Sequence, residues 1–294
     1  MATLTATDHP PTTTRRVRHP IAGVLRWAVI IAVLLVVLYP LIWMVGTSFK
    51  SQRELASNLS VWPEVFTPGN YVEGWTGLPG VTFGRFFLNS IVLACLVVLA
   101  NMASCLVTAY AFARLRFPLR SLWFALMIGT LLLPSHVLIV PQFVLFTHFG
   151  WVGTLLPLVV PKLLATEAFF VFLMVQFMRG VPRELDEAAM IDGCGPYRVF
   201  WHIILPLSRP ALVTTAIFSF IWTWNDFFTQ LVYLSDPADY TVPIGLRAFM
   251  DAAGQQAIGP MFAMSVLSLV PVFVFFLAFQ RLLVAGINTT GLKG

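Results

Sequence analysis

Glu187-Ala188-Ala189-Met190-Ile191-Asp192-Gly193, followed after nine residues by Ile203-Ile204-Leu205-Pro206, lies between two long apolar stretches. A polar segment so bounded has to face water, because hydrocarbon offers its charges and peptide groups no partners. Pro182 falls where a first helical turn tolerates it. Glu184, Asp186 and Glu187 then cluster where the macrodipole favours negative charge, and Gly193 serves as a helix stop. Past Gly195, Pro196 opens a second helix through Tyr197, Phe200 and Trp201, which Pro206 is expected to end. Residues 180–208 therefore read as two short helices hinged at Gly193-Cys194-Gly195. Ala188 and Ala189 allow close backbone approach, while Tyr197, Phe200 and Trp201 offer apolar anchors of the kind found at interface centres. An amphipathic helix lying along the membrane surface has the same outline.

The composition defines the solvent. The chain is 58% hydrophobic and 11% charged, against about 25% charged in soluble domains. The deficit argues for lipid and excludes an ordinary soluble enzyme or nucleic-acid binder, despite the net charge of +5. Cys95, Cys105 and Cys194 fit no metal or disulfide spacing and are read as free thiols.

Six stretches are long enough to cross a hydrocarbon core, which takes roughly 20 helical residues. They fall near 23–46, 87–110, 121–146, 154–178, 210–234 and 261–283, so the expected fold is all-α, a six-span membrane protein. Residues 1–22 read as a disordered cytoplasmic tail, 23–86 as the first span with an extracytoplasmic loop, 87–284 as the core and 285–294 as a second tail. No small-residue cleavage site follows the first apolar run, which is therefore expected to stay as an uncleaved anchor. Pro134, Pro141, Pro157 and Pro161 interrupt the third and fourth spans, as expected of helices packed in a bundle. With the N-terminus inside, thirteen of the 18 Lys and Arg fall on inner segments, which puts both termini and segment 180–208 in the cytoplasm. Lys162 is counted among the outer residues. The outer segments 47–86 and 235–260 read either as docking surfaces or as solvated connectors.

Further segments carry a resemblance. Phe86-Phe87-Leu88-Asn89-Ser90 opens the second span, and Ala109-Tyr110-Ala111-Phe112-Ala113-Arg114-Leu115-Arg116-Phe117-Pro118 closes it. Trp224-Asn225-Asp226-Phe227 lies in the fifth, and Gln280-Arg281 leads to Gly291-Leu292-Lys293-Gly294. With the E-A-A, Gly, I-x-L-P spacing, these resemble the permeases of ATP-binding-cassette importers. The likeness is to the maltose-type carbohydrate uptake class, in which a permease pairs with a second, different one. It covers residues 23–294, with Gly286-Ile287-Asn288-Thr289-Thr290 slightly altered from the usual ending.

The resemblance implies an importer of two permeases, two copies of a cytoplasmic ATPase and an extracytoplasmic solute-binding protein. The chain itself would bind no cofactor. It has no G-x-x-x-x-G-K-[ST] motif, so ATP and Mg belong to the partner ATPase. Carried over residue by residue, Glu187, Ala188, Ala189, Asp192 and Gly193 would form the coupling contact, joined by Tyr197, Phe200, Leu205 and Pro206.

Polar groups inside spans are costly and face the bundle interior. Asn101, Ser104 and Thr108 share one face of the second span. Thr215, Ser219, Trp222, Thr223 and Asp226 form a stripe on the fifth, with Asn225 beside it. Lining of a substrate pathway and interhelical hydrogen bonding both account for them. Asp226 suits a gate, a helix cap or an interfacial contact, and His136, without metal-ligand company, suits packing. No basic residue is expected deep inside a span, and Phe220, Trp222 and Trp224 supply aromatic faces, which favours a neutral sugar. The competing readings are an importer of another solute such as glycerol phosphate, a self-sufficient secondary transporter, and a membrane enzyme. The secondary transporter predicts paired intramembrane charges or an inverted repeat. The enzyme needs a nucleophile–base set or a metal cluster.

Overall fold

The computed structural model describes residues 20–76, 80–253 and 258–288, and within them the chain is built from helices and turns. The first helix, α1 (Pro20–Thr47), leads into a connector carrying α2 (Gln52–Ser57) and α3 (Gly69–Thr76). Next come α4 (Phe83–Arg114), α5 (Arg120–Thr130), α6 (Ser135–His148), α7 (Leu156–Leu163) and α8 (Ala168–Gly180). The polar segment holds α9 (Glu184–Ile191), α10 (Pro196–Val199), a π-helical turn over Phe200–Ile204 and α11 (Leu205–Leu207). Then follow α12 (Arg209–Asn225), α13 (Phe228–Tyr233), α14 (Val242–Ala253) and α15 (Ile258–Asn288). The tail expected over residues 1–22 lies outside the described residues up to 19, and Pro20 is already helical.

By length and apolarity, Val24–Thr47, Phe83–Arg114, Leu156–Gly180 and Ile258–Arg281 can each cross a membrane. Pro196–Leu207 and α12 form a fifth candidate only if their 69° bend lies within one span. The stretch expected as a third span, 121–146, is broken after Thr130 into α5 and α6. Pro134 is the cause, since its ring pushes the preceding residue out of helical geometry. The expected fifth span, 210–234, likewise breaks at Asp226-Phe227.

The central helix is α4. Its buried residues recur as Phe86, Ser90, Ala94, Val97, Asn101, Cys105, Ala109 and Ala113, one stripe of mostly small side chains. Lipid tails give apolar helices no reason to leave them, so association in a membrane depends on close packing, which small residues permit. Against this stripe lie α8 and α12, whose buried Phe170, Val171, Met174, Ala211 and Leu212 join Cys105 and Ala109 in one cluster.

The described parts of both connectors are folded. Between α1 and α4, Lys50 is 1% exposed and its Nζ donates to Asn58 O (3.0 Å) and Ser60 O (2.6 Å). Asn70 Nδ2 donates to Ser48 O (2.8 Å) and Lys50 O (2.9 Å), so two loop segments share one buried amide. Glu54 is buried and accepts from Glu64 N at 2.7 Å. Gly46 lies so close to the connector that a Cβ there would sit 1.9 Å from Val61 O. Gly46→Val should therefore cost about 1–3 kcal/mol as an overpacked site, read as a lower unfolding temperature of the detergent-purified protein.

The second connector explains the Phe86–Ser90 segment. Asn89 Nδ2 donates to Ala238 O (2.8 Å) and Tyr240 O (3.0 Å), while Ser90 Oγ accepts from Val242 N (2.8 Å). These two side chains satisfy backbone groups of an irregular stretch and dock α14 on the start of α4.

Candidate functional site

Two features contain the residues singled out in the sequence: the polar loop and a cavity lined by several helices. In the loop, α9 ends in a Schellman motif. Gly193 has φ of 81°, Gly193 N donates to Met190 O (3.0 Å) and Cys194 N donates to Ala189 O (2.9 Å). A left-handed residue there closes the last carbonyls of the helix, and glycine takes that conformation without steric cost. Gly195, with φ of −75°, is ordinary backbone, so the turn rests on Gly193 alone.

Glu187, Ala188, Asp192 and Gly193 are exposed, and Tyr197 and Trp201 are 84% and 60% exposed. Met190 (53%) and Ile191 (87%) add apolar surface to the same end of α9. Ala189 and Phe200 are turned inward instead, at 9% and 7% exposed. The Phe200 ring packs on Tyr110 at 5.0 Å, so it holds the loop to α4 and is not presented to a partner. Leu205 and Pro206 are half-buried at the joint with α12.

Pro206 does not end the second helix, contrary to expectation. Proline lacks an N–H and its ring clashes with the carbonyl four residues back. The chain answers with a π-turn over Phe200–Ile204, in which Leu205 N reaches back five residues to Phe200 O. The helix then runs to Leu207, and the 69° bend falls at the buried Ser208.

Sequence reasoning missed the clasp holding this loop. Arg114 at the end of α4 pairs with Asp186 of α9 at 3.2 Å, with the two side chains 4% and 13% exposed. Arg114 Nη2 also donates to Val181 O (2.8 Å), and Tyr110 OH donates to Pro196 O (2.9 Å). Both residues fall within the Ala109–Pro118 segment, which was legible as a motif and not as a contact.

The cavity measures about 800 Å³ and is lined where helices break. The α5–α6, α7–α8 and α12–α13 junctions all contribute residues to its wall. Irregular backbone at membrane depth persists only where protein or water satisfies it, and here side chains do much of that. Ser104 Oγ donates to Lys162 O (2.6 Å), Thr166 Oγ1 to Pro161 O (2.9 Å) and Gln230 Nε2 to Thr223 O (2.7 Å).

Of the proposed pathway residues, Asn101, Ser219, Trp222, Thr223, Asn225 and Asp226 line this cavity. Asn101 Nδ2 donates to Ser219 Oγ at 2.8 Å, joining α4 to α12 across its wall. Ser104 is spent on the Lys162 carbonyl, and neither Thr108 nor Thr215 reaches the lining. Asp226 has two roles, since it lines the cavity and its Oδ1 accepts from Thr229 N (3.1 Å) to cap α13. His136 lies 5.1 Å from the Phe228 ring and also faces the cavity.

Two expectations need correction. Lys162, counted with the outer segments, falls inside the Leu156–Gly180 candidate span, where no basic residue was expected; it lines the cavity and forms an ion pair with Glu167. Its carboxylate partner, five residues further along the chain and across the α7–α8 break, makes the charge tolerable inside an apolar stretch. The aromatic surface is also smaller than expected. Phe220 and Trp224 are 5% and 3% exposed, with Phe220 stacked on Phe275 (4.1 Å) and Trp224 Nε1 donating to Ser268 O (3.1 Å). Only Trp222 of the three faces the cavity, and it is 46% exposed.

Comparison with known proteins agrees with this architecture. Residues 100–289 match the model of the binding-protein-dependent transport system inner membrane component family, and the chain belongs to that family. It is thus a multi-pass membrane protein of the transporter-permease type. It is 34% identical over 261 residues to the trehalose/maltose transport system permease protein MalG of Thermococcus litoralis, covering 88% of this chain and 93% of that one. It is 33% identical over 264 residues to the arabinooligosaccharides transport system permease protein AraQ of Halalkalibacterium halodurans, covering 88% and 92%. In fold it is similar to a chain of a bacterial ABC transporter that imports the acidic polysaccharide alginate. That likeness has a TM-score of 0.78 at 21% identity and covers 92% of this chain and 99% of the other.

Proposed function

We propose that the chain is a permease subunit of an ATP-driven importer, carrying a mono- or oligosaccharide delivered by an extracytoplasmic solute-binding protein. It pairs with a second, different permease and with two copies of a cytoplasmic ATPase, which hold ATP and Mg. The chain crosses the inner membrane six times with both termini in the cytoplasm. The third crossing is made by α5 and α6 together, and the polar loop faces the ATPases.

The observation that carries this reading is a mechanical connection. The loop is fastened to α4 through Arg114–Asp186 and Tyr110–Pro196, and it continues into α12 through the bend at Ser208. Both α4 and α12 line the cavity. A force on the exposed ridge of Glu187, Ile191 and Tyr197 therefore has a stiff path to the cavity wall, and closure of an ATPase pair would bias the bundle between two arrangements. With one lysine against two carboxylates among its described residues, the cavity suits a neutral sugar better than a phosphorylated or carboxylated solute.

Reconstitution tests this. The complex in liposomes, with binding protein outside and ATP inside, should accumulate sugar and hydrolyse ATP together. Uptake by this chain alone would replace the reading with a self-sufficient transporter. Trp222→Ala should lower uptake about tenfold through loss of the exposed ring face, with assembly of the complex unchanged by size-exclusion chromatography. Unchanged uptake would remove the cavity from the pathway.

A further inference from the structure

The turn between α4 and α5 opens a second, shallow cavity of about 720 Å³, rimmed by Arg116, Arg120 and Arg183. None of the three takes part in an ion pair among the described residues. Arg120 Nη1 donates to Leu115 O (3.1 Å) and Arg183 Nη2 to Ala113 O (3.5 Å), contacts that neutralise no charge. Asp186, close by on α9, is committed to Arg114. Three guanidinium groups converging without a carboxylate favour an anion with several acceptor oxygens, which arginine's planar fork matches.

The surface running away from the rim decides which anion. Leu122, Trp123 and Leu126 share one face of α5 and are 51%, 54% and 54% exposed, with Leu119, 64% exposed, just before the helix begins. A free phosphate or an acidic protein segment engages the rim alone and makes no use of the apolar ladder leading away from it. A lipid satisfies both, with its headgroup at the arginines and an acyl chain along the leucines. Trp123, exposed one residue beyond Leu122, is a ring of the kind that anchors between hydrocarbon and water.

We propose that this concavity binds an anionic phospholipid, its phosphate among Arg116, Arg120 and Arg183 and one acyl chain along Leu122 and Leu126. Basic pockets at the ends of membrane helices hold headgroups in this way. Because Arg183 opens α9, bound lipid would tie the docking loop to the α4–α5 turn. The inference needs only a membrane-spanning chain and stands apart from the identity of the transported solute.

The test uses the delipidated complex in a neutral detergent. Phosphatidylglycerol should raise its unfolding temperature in a saturable manner, while phosphatidylcholine, inorganic phosphate and soluble glycerol phosphate should not. Arg116 makes no hydrogen bond or ion pair among the described residues, so Arg116→Gln should leave the fold intact. That substitution should raise the half-saturating lipid concentration about fivefold, the worth of one arginine at an anionic surface. Leu122→Asn should weaken phosphatidylglycerol without creating any response to phosphate. Equal stabilisation by both lipids would overturn the proposal, as would an undiminished response in Arg116→Gln. A response to inorganic phosphate equal to that of the lipid would assign the site to a free anion. Loss of ATPase subunits from Arg116→Gln with lipid binding unchanged would assign it to a protein contact.

Discussion

Glu187→Lys is expected to abolish ATP-driven uptake by the reconstituted complex while leaving the affinity of its solute-binding protein unchanged. Glu187 is exposed on α9 and supports the fold only through the first-turn dipole, worth about 0.3–1 kcal/mol. Reversing its charge therefore costs little stability and acts on whatever meets that face. Gly193→Asp should have the same effect for a related reason. An added Cβ at Gly193 meets nothing within 4 Å, so the new side chain would project into the space a partner fills. Its φ of 81° adds a strain of about 1 kcal/mol for a non-glycine residue. Gly193→Asn separates the two effects, because asparagine tolerates the left-handed conformation and carries no charge. Wild-type uptake in Glu187→Lys would remove the coupling role from this loop.

The second large effect belongs to the clasp. Arg114→Met leaves Asp186 buried without its cation, and breaking a buried pair on one side costs about 3–5 kcal/mol. With Asp186 13% exposed, water recovers part of that, and a cost of about 3 kcal/mol is expected. It should appear as a lower unfolding temperature and as ATP hydrolysis no longer matched by uptake. The double substitution Arg114→Met with Asp186→Leu should recover much of the stability, since an apolar pair of similar volume is often neutral. If the double variant is no more stable than the single one, the Val181 carbonyl contact and not the ion pair holds the loop.

Parts of both sites were legible because they depend on local chemistry. The acidic first turn of α9, the stop at Gly193 and the opening at Pro196 are properties of short segments, and each appears where its residues call for it. The polar stripe on the fifth stretch was legible because a costly side chain in an apolar helix needs a polar environment, and Ser219, Trp222 and Thr223 share one. Lys162 escaped because its place depends on Glu167 lying across a broken helix, and a charge count along the chain sees only the charge. Phe200 and Trp201 are neighbours of similar character, yet one is 7% and the other 60% exposed. No composition rule separates them; the ring of Tyr110 on another helix does.

The sequence alone was enough to determine that lipid is the solvent, that the chain is helical and that one polar loop stops at a glycine. Each follows from hydropathy or from backbone stereochemistry, which act over a few residues. The tertiary structure decided that three helix breaks surround one cavity, that a lysine can sit there beside its carboxylate, and that Arg114 ties the loop to α4. These depend on which helix lies opposite which. In a membrane that choice is made by close packing and by the pairing of freed polar groups, between residues far apart in the chain.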